Sequence, residues 1–96
     1  MKQIIVDAIN NLQVLMFNYS GIPRVVEPHT IGLSRTGKLV LRCFQTHGGH
    51  ITPGHEWDLC DVDKISNLTV AGGNFYGPRS GYKRGDRHML SIFAQL

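Results

Sequence analysis

The feature that most constrains the fold is a succession of short strand-forming segments between residues 13 and 70, separated only by turn signals. The segments read VLMFNY, RVVEPHTIGL, KLVLRCFQT, EWDLC and SNLTV. Parallel strands would need a crossover of roughly a dozen residues or more, usually a helix, and no helical segment lies between consecutive strands. The pattern therefore predicts about five antiparallel strands that form a small β-barrel or a strongly bent sheet.

Helices are predicted at both ends of the chain. Apolar residues in KQIIVDAINNLQ recur every three to four positions, which predicts a helix within residues 1–12. In GDRHMLSIFAQL, apolar residues repeat at helical spacing after Asp86, a favourable N-cap residue, so residues 86–96 are predicted as a short C-terminal helix. One domain of 96 residues is expected, with helix 1–12, β-barrel 13–70, a basic Gly/Tyr/Arg loop at 71–88 and helix 86–96.

The second predicted strand contains a proline. Pro28 has no N–H to donate to a neighbouring strand, so this strand is expected to lie at an edge or to bend at that residue. Around it, Val25, His29, Ile31 and Leu33 occupy alternating positions.

Residues 72–88, GGNFYGPRSGYKRGDRH, carry the formal net charge of the whole chain, +3. The chain has ten Lys/Arg and seven Asp/Glu, of which this segment holds four and one, so the remainder balances. Cations neutralise phosphates, tyrosine rings stack on bases, and glycines let a ligand approach the main chain. The segment is predicted to bind an anionic ligand; the alternative is a solvated loop that covers one end of the barrel.

Two arginines on predicted strands could join the same site. Arg42 lies between apolar neighbours, where an unpaired buried charge would be costly. Its side chain is therefore expected to be exposed, to pair with an acid such as Asp58, or to line a polar groove. Arg24 could pair with Glu27 or with an acid across the sheet, or line the groove as well.

Composition and motifs argue against several classes of protein. The N-terminus lacks a secretory signal, no stretch approaches the roughly twenty apolar residues of a bilayer span, and two cysteines cannot form a dense disulfide framework. A cytoplasmic protein is the simplest interpretation. No GxSxG, HExxH or P-loop spacing is present, so neither an enzyme nor a cofactor is predicted.

A zinc site is considered and not favoured. The histidines of HGGHITPGH, at 47–55, lie on a glycine-rich loop without fixed geometry, and no CxxC motif is present. Cys43 and Cys60 are expected to be small core residues. Trp57, the single tryptophan, is expected to anchor the core or a dimer interface more than to act as a stacking platform.

Three blocks of the sequence together resemble the WYL domain family. They are Tyr19 followed by RVVEP at 24–28, the strand KLVLRCF after a glycine turn, and LCDVDKISNLTV leading through Phe75 into the basic end. The resemblance covers roughly residues 3 to 75. It implies an Sm-type small β-barrel and a regulatory role in bacteria or phage, in which the domain senses ligands that are often nucleic acid or nucleotide-like. Because the predicted helix begins at residue 3, the chain is expected to be a free-standing module.

The residues and the resemblance together predict a non-catalytic module that binds nucleic acid or a nucleotide-derived small ligand, with a homodimer as the expected assembly. The alternative is a protein-interaction module whose basic end docks on an acidic face of a host or partner factor. The predicted ligand-binding residues are Tyr19, Arg24, Arg42, Arg79, Tyr82, Lys83, Arg84 and Arg87.

Overall fold

The computed structural model describes residues 1–49 and 54–96, and these residues form one α-helix, one short 3-10 helix and six strands. The elements in chain order are α1 (Lys2–Asn10), β1 (Gln13–Tyr19), β2 (Ile22–Ser34), β3 (Leu39–Gly48), β4 (Trp57–Asp61), the 3-10 helix (Val62–Lys64), β5 (Ile65–Asn74) and β6 (Met89–Gln95). The predicted N-terminal helix is thus confirmed, and the five predicted strands correspond to β1–β5. The predicted hairpin loop at 47–55 includes residues 50–53, which lie outside the described part of the chain.

All strands pair antiparallel in a single sheet of order β4-β3-β2-β1-β5, with β6 added on β2. The mostly β class is therefore confirmed. Among the described residues no pairing joins β4 to β5, so the sheet is open and the predicted closed barrel is not formed. The connections between consecutive strands are short, which explains why each strand of the β1–β4 run pairs with its neighbour in sequence.

Strand β2 is central in the sheet and changes partner at Pro28. Its first half, up to Val26, pairs with β1, and its second half, from Thr30, pairs with β6. Pro28 lies between these two ladders, where its missing N–H costs no hydrogen bond to either strand. The expected edge position was therefore wrong, whereas a local irregularity does occur: Pro28 is opposite Cys43 and Thr30 is opposite Arg42, which leaves His29 as an extra residue in a β-bulge.

The core lies between α1 and one face of the sheet. Ile5, Ala8 and Ile9 of the helix stripe are buried together with Leu41 and Cys43 of β3. The opposite face of β3 carries Val40, Arg42 and Phe44, as strand alternation requires. The face that carries Arg42 is called the outer face below. No helix within residues 1–49 and 54–96 has the length and apolar character needed to cross a bilayer.

The predicted C-terminal helix was wrong, because residues Met89–Gln95 form strand β6. The helical spacing depended on Leu90 and Phe93, yet these side chains are 63% and 40% exposed, while Met89 and Ala94 are buried. Strand β1 pairs with β2 only as far as Val26. Strand β6 pairs with the same edge of β2 from Thr30 to Ser34, so its backbone hydrogen bonds satisfy that second half. Long-range hydrogen bonding thus outweighs local helix propensity in this segment.

The close approach of β6 to β2 makes Gly32 sensitive to substitution. A Cβ atom at Gly32 would overlap the main-chain oxygen of Ser91 and press on the sulfur of Met89. We expect Gly32→Ala to lower the free energy of unfolding by about 1–3 kcal/mol, as overpacking does elsewhere, when measured by urea denaturation. Gly72→Ala is the matched control, since nothing lies within 4 Å of a Cβ there. Equal stability of the two variants would contradict the β2–β6 pairing.

Candidate functional site

Residues 75–88, called the covering segment, fold back across the outer face of β2, β3 and β4. Several interactions along its length hold this segment in place. Phe75 is buried at its start, the Tyr82 hydroxyl lies 3.2 Å from Thr30 Oγ1, and the Asp86 carboxylate binds Arg42. The covering segment, which follows β5 in the sequence, therefore covers part of the outer face.

The central anchor of the covering segment is His29, the extra residue of the bulge. Its side chain is fully buried. Nδ1–H donates to the carbonyl of Glu27 over 2.8 Å, and Nε2 accepts the main-chain N–H of Arg79 over 3.1 Å. This pair of bonds fits only the neutral imidazole, and burial lowers the pKa of His29 below its ordinary 6.5. The ring also lies 4.7 Å from Trp57 and 5.1 Å from Tyr82, centroid to centroid.

Arg79, which the sequence assigned to phosphate, is bound within the protein. Its Nε and Nη2 donate to the two carboxylate oxygens of Glu27 over 2.7 and 2.9 Å, and its guanidinium carbon lies 4.7 Å from the centre of the Phe44 ring. The hydrogen bonds with Glu27 raise the pKa of Arg79. The Glu27 side chain is only 8% exposed, so Arg79 compensates a buried carboxylate and positions the covering segment.

A second ion pair joins β3 to the covering segment. Arg42 Nε donates to Asp86 Oδ2 over 2.8 Å, and the same guanidinium lies 3.0 Å from His88 Nδ1. The His88 amide donates to Asp86 Oδ1 over 2.9 Å. Burial alone would raise the pKa of Asp86, but these hydrogen bonds outweigh it and hold the pKa below its ordinary value. Asp86, predicted as a helix N-cap, thus anchors a loop instead.

Next to this pair the outer face has a groove of about 370 Å³. Four cationic side chains line it against one carboxylate, Asp86, together with two aromatic rings. The lining residues are Arg42, Trp57, Gly81, Tyr82, Lys83, Arg84, Gly85, Asp86, Arg87 and His88. Five of the eight sequence-predicted ligand residues meet here: Arg42, Tyr82, Lys83, Arg84 and Arg87.

The aromatic wall includes a residue that sequence reasoning assigned elsewhere. Trp57 lines the groove, with its ring nearly parallel to that of Tyr82 and 6.3 Å away, centroid to centroid. Its Nε1–H donates to the carbonyl of Ser80 over 3.1 Å, so its orientation is fixed by the covering segment. In the β3–β4 ladder Trp57 lies opposite Phe44 and Leu59 lies opposite Arg42, so Trp57 shares the face of Arg42. Alternation in the sequence puts Trp57 and Leu59 on one face of β4, but only the strand pairing shows which face that is.

Tyr19 and Arg24, also predicted as ligand residues, do not line this groove. Arg24 Nη1 lies 3.3 Å from the carboxylate of Asp58, and its guanidinium carbon is 5.2 Å from the centre of the Tyr19 ring. The Tyr19 hydroxyl accepts the amide of Asp61 over 3.0 Å. Because Asp58 is opposite Cys43 whereas Leu59 is opposite Arg42, the acid that holds Arg24 extends from the other face of the sheet.

The cysteines belong to the core. Cys43 and Cys60 are both free and buried, and the hydrogen bond between them, with burial, raises the pKa of the Cys43 thiol. Among the described residues no group of three or more potential ligands could hold a metal ion, and His50 lies outside this part of the chain.

The chain was compared with protein families, curated proteins and solved structures. No family model, no curated protein and no solved structure matches it. The interpretation of the groove therefore depends on its own geometry and chemistry.

Proposed function

We propose that the groove binds nucleic acid or a nucleotide-derived small ligand, and that the protein is a non-catalytic binding module of regulatory type. The observation that carries the proposal is the lining of the groove. Lys83, Arg84 and Arg87 form no ion pair with any described Asp or Glu side chain, although Arg84 Nε donates to the main-chain oxygen of Leu96, and all three line the groove with the rings of Trp57 and Tyr82. Free cations next to aromatic surfaces suit a ligand that has both phosphate and a base.

The WYL family and its Sm-type architecture remain part of the proposal, with an open antiparallel sheet in place of a closed barrel. An N-terminal helix precedes five strands of order β4-β3-β2-β1-β5, and β2 and β3 are each irregular in register, as bent small sheets require. In this proposal β6 and the covering segment are additions that build the groove on the outer face. The homodimer stays a prediction.

Removing any one free cation from the groove is expected to weaken ligand binding roughly tenfold, equivalent to about 1.4 kcal/mol. For an oligonucleotide it should also lower the slope of log affinity against log salt by about one, because each phosphate contact releases one condensed counterion. The variants are Lys83→Gln, Arg84→Gln and Arg87→Gln. The measurement is fluorescence anisotropy with a labelled single-stranded DNA and a labelled nucleotide over a range of salt concentrations.

Two controls separate the groove from the overall charge of the protein. Lys64→Gln removes the same charge from the 3-10 helix, outside the groove lining, and should leave the salt slope unchanged. Lys38→Gln removes a charge from a 61% exposed side chain that is also outside the groove lining, and it should leave the slope unchanged as well. If neither the single-stranded DNA nor the nucleotide binds, the proposal is excluded. Docking of the basic segment on an acidic protein face is then favoured.

A further inference from the structure

The groove holds several positive charges in a small volume, and their number indicates which class of ligand fits the proposed function. Arg42 is neutralised by Asp86, so Lys83, Arg84 and Arg87 remain as three positive charges without a partner among the described acids. A nucleic acid strand brings one negative charge per nucleotide. A terminal phosphate alone brings about −1.5 to −2 at neutral pH, and each further phosphate adds about one more. Two or three linked phosphates match three clustered cations better than a strand does.

The main chain gathers these cations on one side. Gly81 and Gly85 have φ values of +91° and +75°, a left-handed conformation that glycine adopts without strain. The turn between them is fixed by β6, because the Gly85 amide donates to Gln95 Oε1 over 2.9 Å and Arg84 Nε donates to the carbonyl of Leu96 over 3.2 Å. A turn that is fixed in this way presents Lys83 and Arg84 to the groove at little entropic cost, and Arg87 lines the same groove.

The surroundings of the groove also limit the length of the ligand. Its volume of about 370 Å³ is near the lower end of the range for clefts that hold one small molecule. On the same face of β4 as Trp57 and Leu59 lies Asp61, whose carboxylate is 3.6 Å from Lys38 Nζ. Beside Arg87, the positive surface continues through Arg35, whose Nη2 lies 3.4 Å from the Arg87 carbonyl. A polynucleotide that crossed the groove and continued along β4 would reach the carboxylate of Asp61, whereas a compact polyanion would not.

From these observations, and resting on the proposed function, we infer that the ligand is a nucleoside polyphosphate. Its phosphates bind Lys83 and Arg84 of the turn and Arg87 beyond it, and its base lies against Trp57 and Tyr82. Asp86, the carboxylate in the lining, is already hydrogen-bonded by Arg42 and His88, so binding does not depend on a magnesium ion held by this residue.

Isothermal titration calorimetry of the full chain in EDTA tests this inference. The probes are nucleoside mono-, di- and triphosphates of adenine, guanine and uracil, inorganic pyrophosphate, and oligothymidylates of increasing length. For at least one base we expect affinity to rise tenfold or more from monophosphate to diphosphate, pyrophosphate to bind more weakly than the diphosphate, and oligothymidylates to gain no affinity with length. Arg87→Gln should reduce the preference for the diphosphate about tenfold, and Lys64→Gln should not change it.

The contrary outcomes separate the inference from the proposed function. Affinity that grows with oligothymidylate length, with equal binding of mono- and diphosphates, would overturn the polyphosphate assignment and leave nucleic-acid binding intact. Equal affinity for pyrophosphate and the nucleoside diphosphates would overturn the role of Trp57 and Tyr82. Failure of every probe to bind would exclude the inference and the proposed function together.

Discussion

Replacement of Asp86 by alanine is expected to lower the free energy of unfolding by about 3 kcal/mol near neutral pH. The Asp86 and Arg42 side chains are only 8% and 22% exposed, so the variant leaves a largely buried guanidinium without its carboxylate. It also removes the acceptor for the His88 amide, which anchors the end of the covering segment. A domain of this size has only about 5–15 kcal/mol of stability in total, so urea denaturation should resolve the loss clearly.

The pH dependence of this loss identifies its cause. Because the pKa of Asp86 is held below its ordinary 3.8 in the folded protein, its stabilisation is fully present above that value. It disappears as the pH falls through the lowered pKa, so the wild type and Asp86→Ala should converge in acid. Arg42→Met should lower the free energy of unfolding less in the Asp86→Ala background than in the wild type, because the two residues interact. As a control, Asp63→Ala, at an exposed residue, should leave the free energy of unfolding nearly unchanged. A loss below about 1 kcal/mol, typical of exposed ion pairs, would contradict the buried pair.

Acidification below pH 6.5 is expected to destabilise the protein through His29. The unfolded chain binds a proton at this imidazole near the ordinary pKa of 6.5, whereas burial keeps the folded pKa lower. Stability is therefore fully present above 6.5 and falls with decreasing pH until the folded pKa is reached, by up to about 1.4 kcal/mol per pH unit. Glu27 and Arg79 are the charged groups that face the ring, and their effects on its pKa oppose one another.

Protonation of His29 also has a direct consequence for the groove. A protonated Nε2 cannot accept the N–H of Arg79, so the covering segment loses its central anchor and the ligand turn that follows loosens. We expect affinity for the ligand to fall over the same pH range as stability. His29→Gln should flatten the pH profile of unfolding. If the His29→Gln variant fails to fold, an NMR titration of His29 in the wild type decides the matter, and a normal or raised pKa would contradict the prediction.

Much of the candidate site was predictable because its residues are close in sequence. Tyr82, Lys83, Arg84 and Arg87 lie within one short segment, and any fold that orders this segment must bring them near one another. Arg42 was predictable for a different reason: a charge at mid-strand among apolar residues needs a polar environment. The sequence could not say that Asp86, rather than Asp58, would supply it, because that choice depends on which chain segment crosses the outer face.

Two errors have the same origin. Arg79 was assigned to the ligand because its sequence neighbours are basic, but the bidentate partner that occupies it, Glu27, comes from β2. His29 was placed in a regular alternation, and the bulge instead turns it to contact Trp57, Phe75 and Tyr82. The roles of Arg79 and His29 both depend on the packing of the covering segment against β2. A local sequence pattern carries no information about that long-range contact.

By itself the sequence determined the helix α1, the strands β1 to β5 and the basic character of residues 72–88, since side-chain period, turn residues and charge are local properties. Only the tertiary structure decided that the last segment is a strand, that the sheet stays open, and that the covering segment builds a groove with Trp57. The reason is physical. The free half of β2 and the buried carboxylates require hydrogen-bonding partners, and these partners are distant in the chain and near only once it has folded.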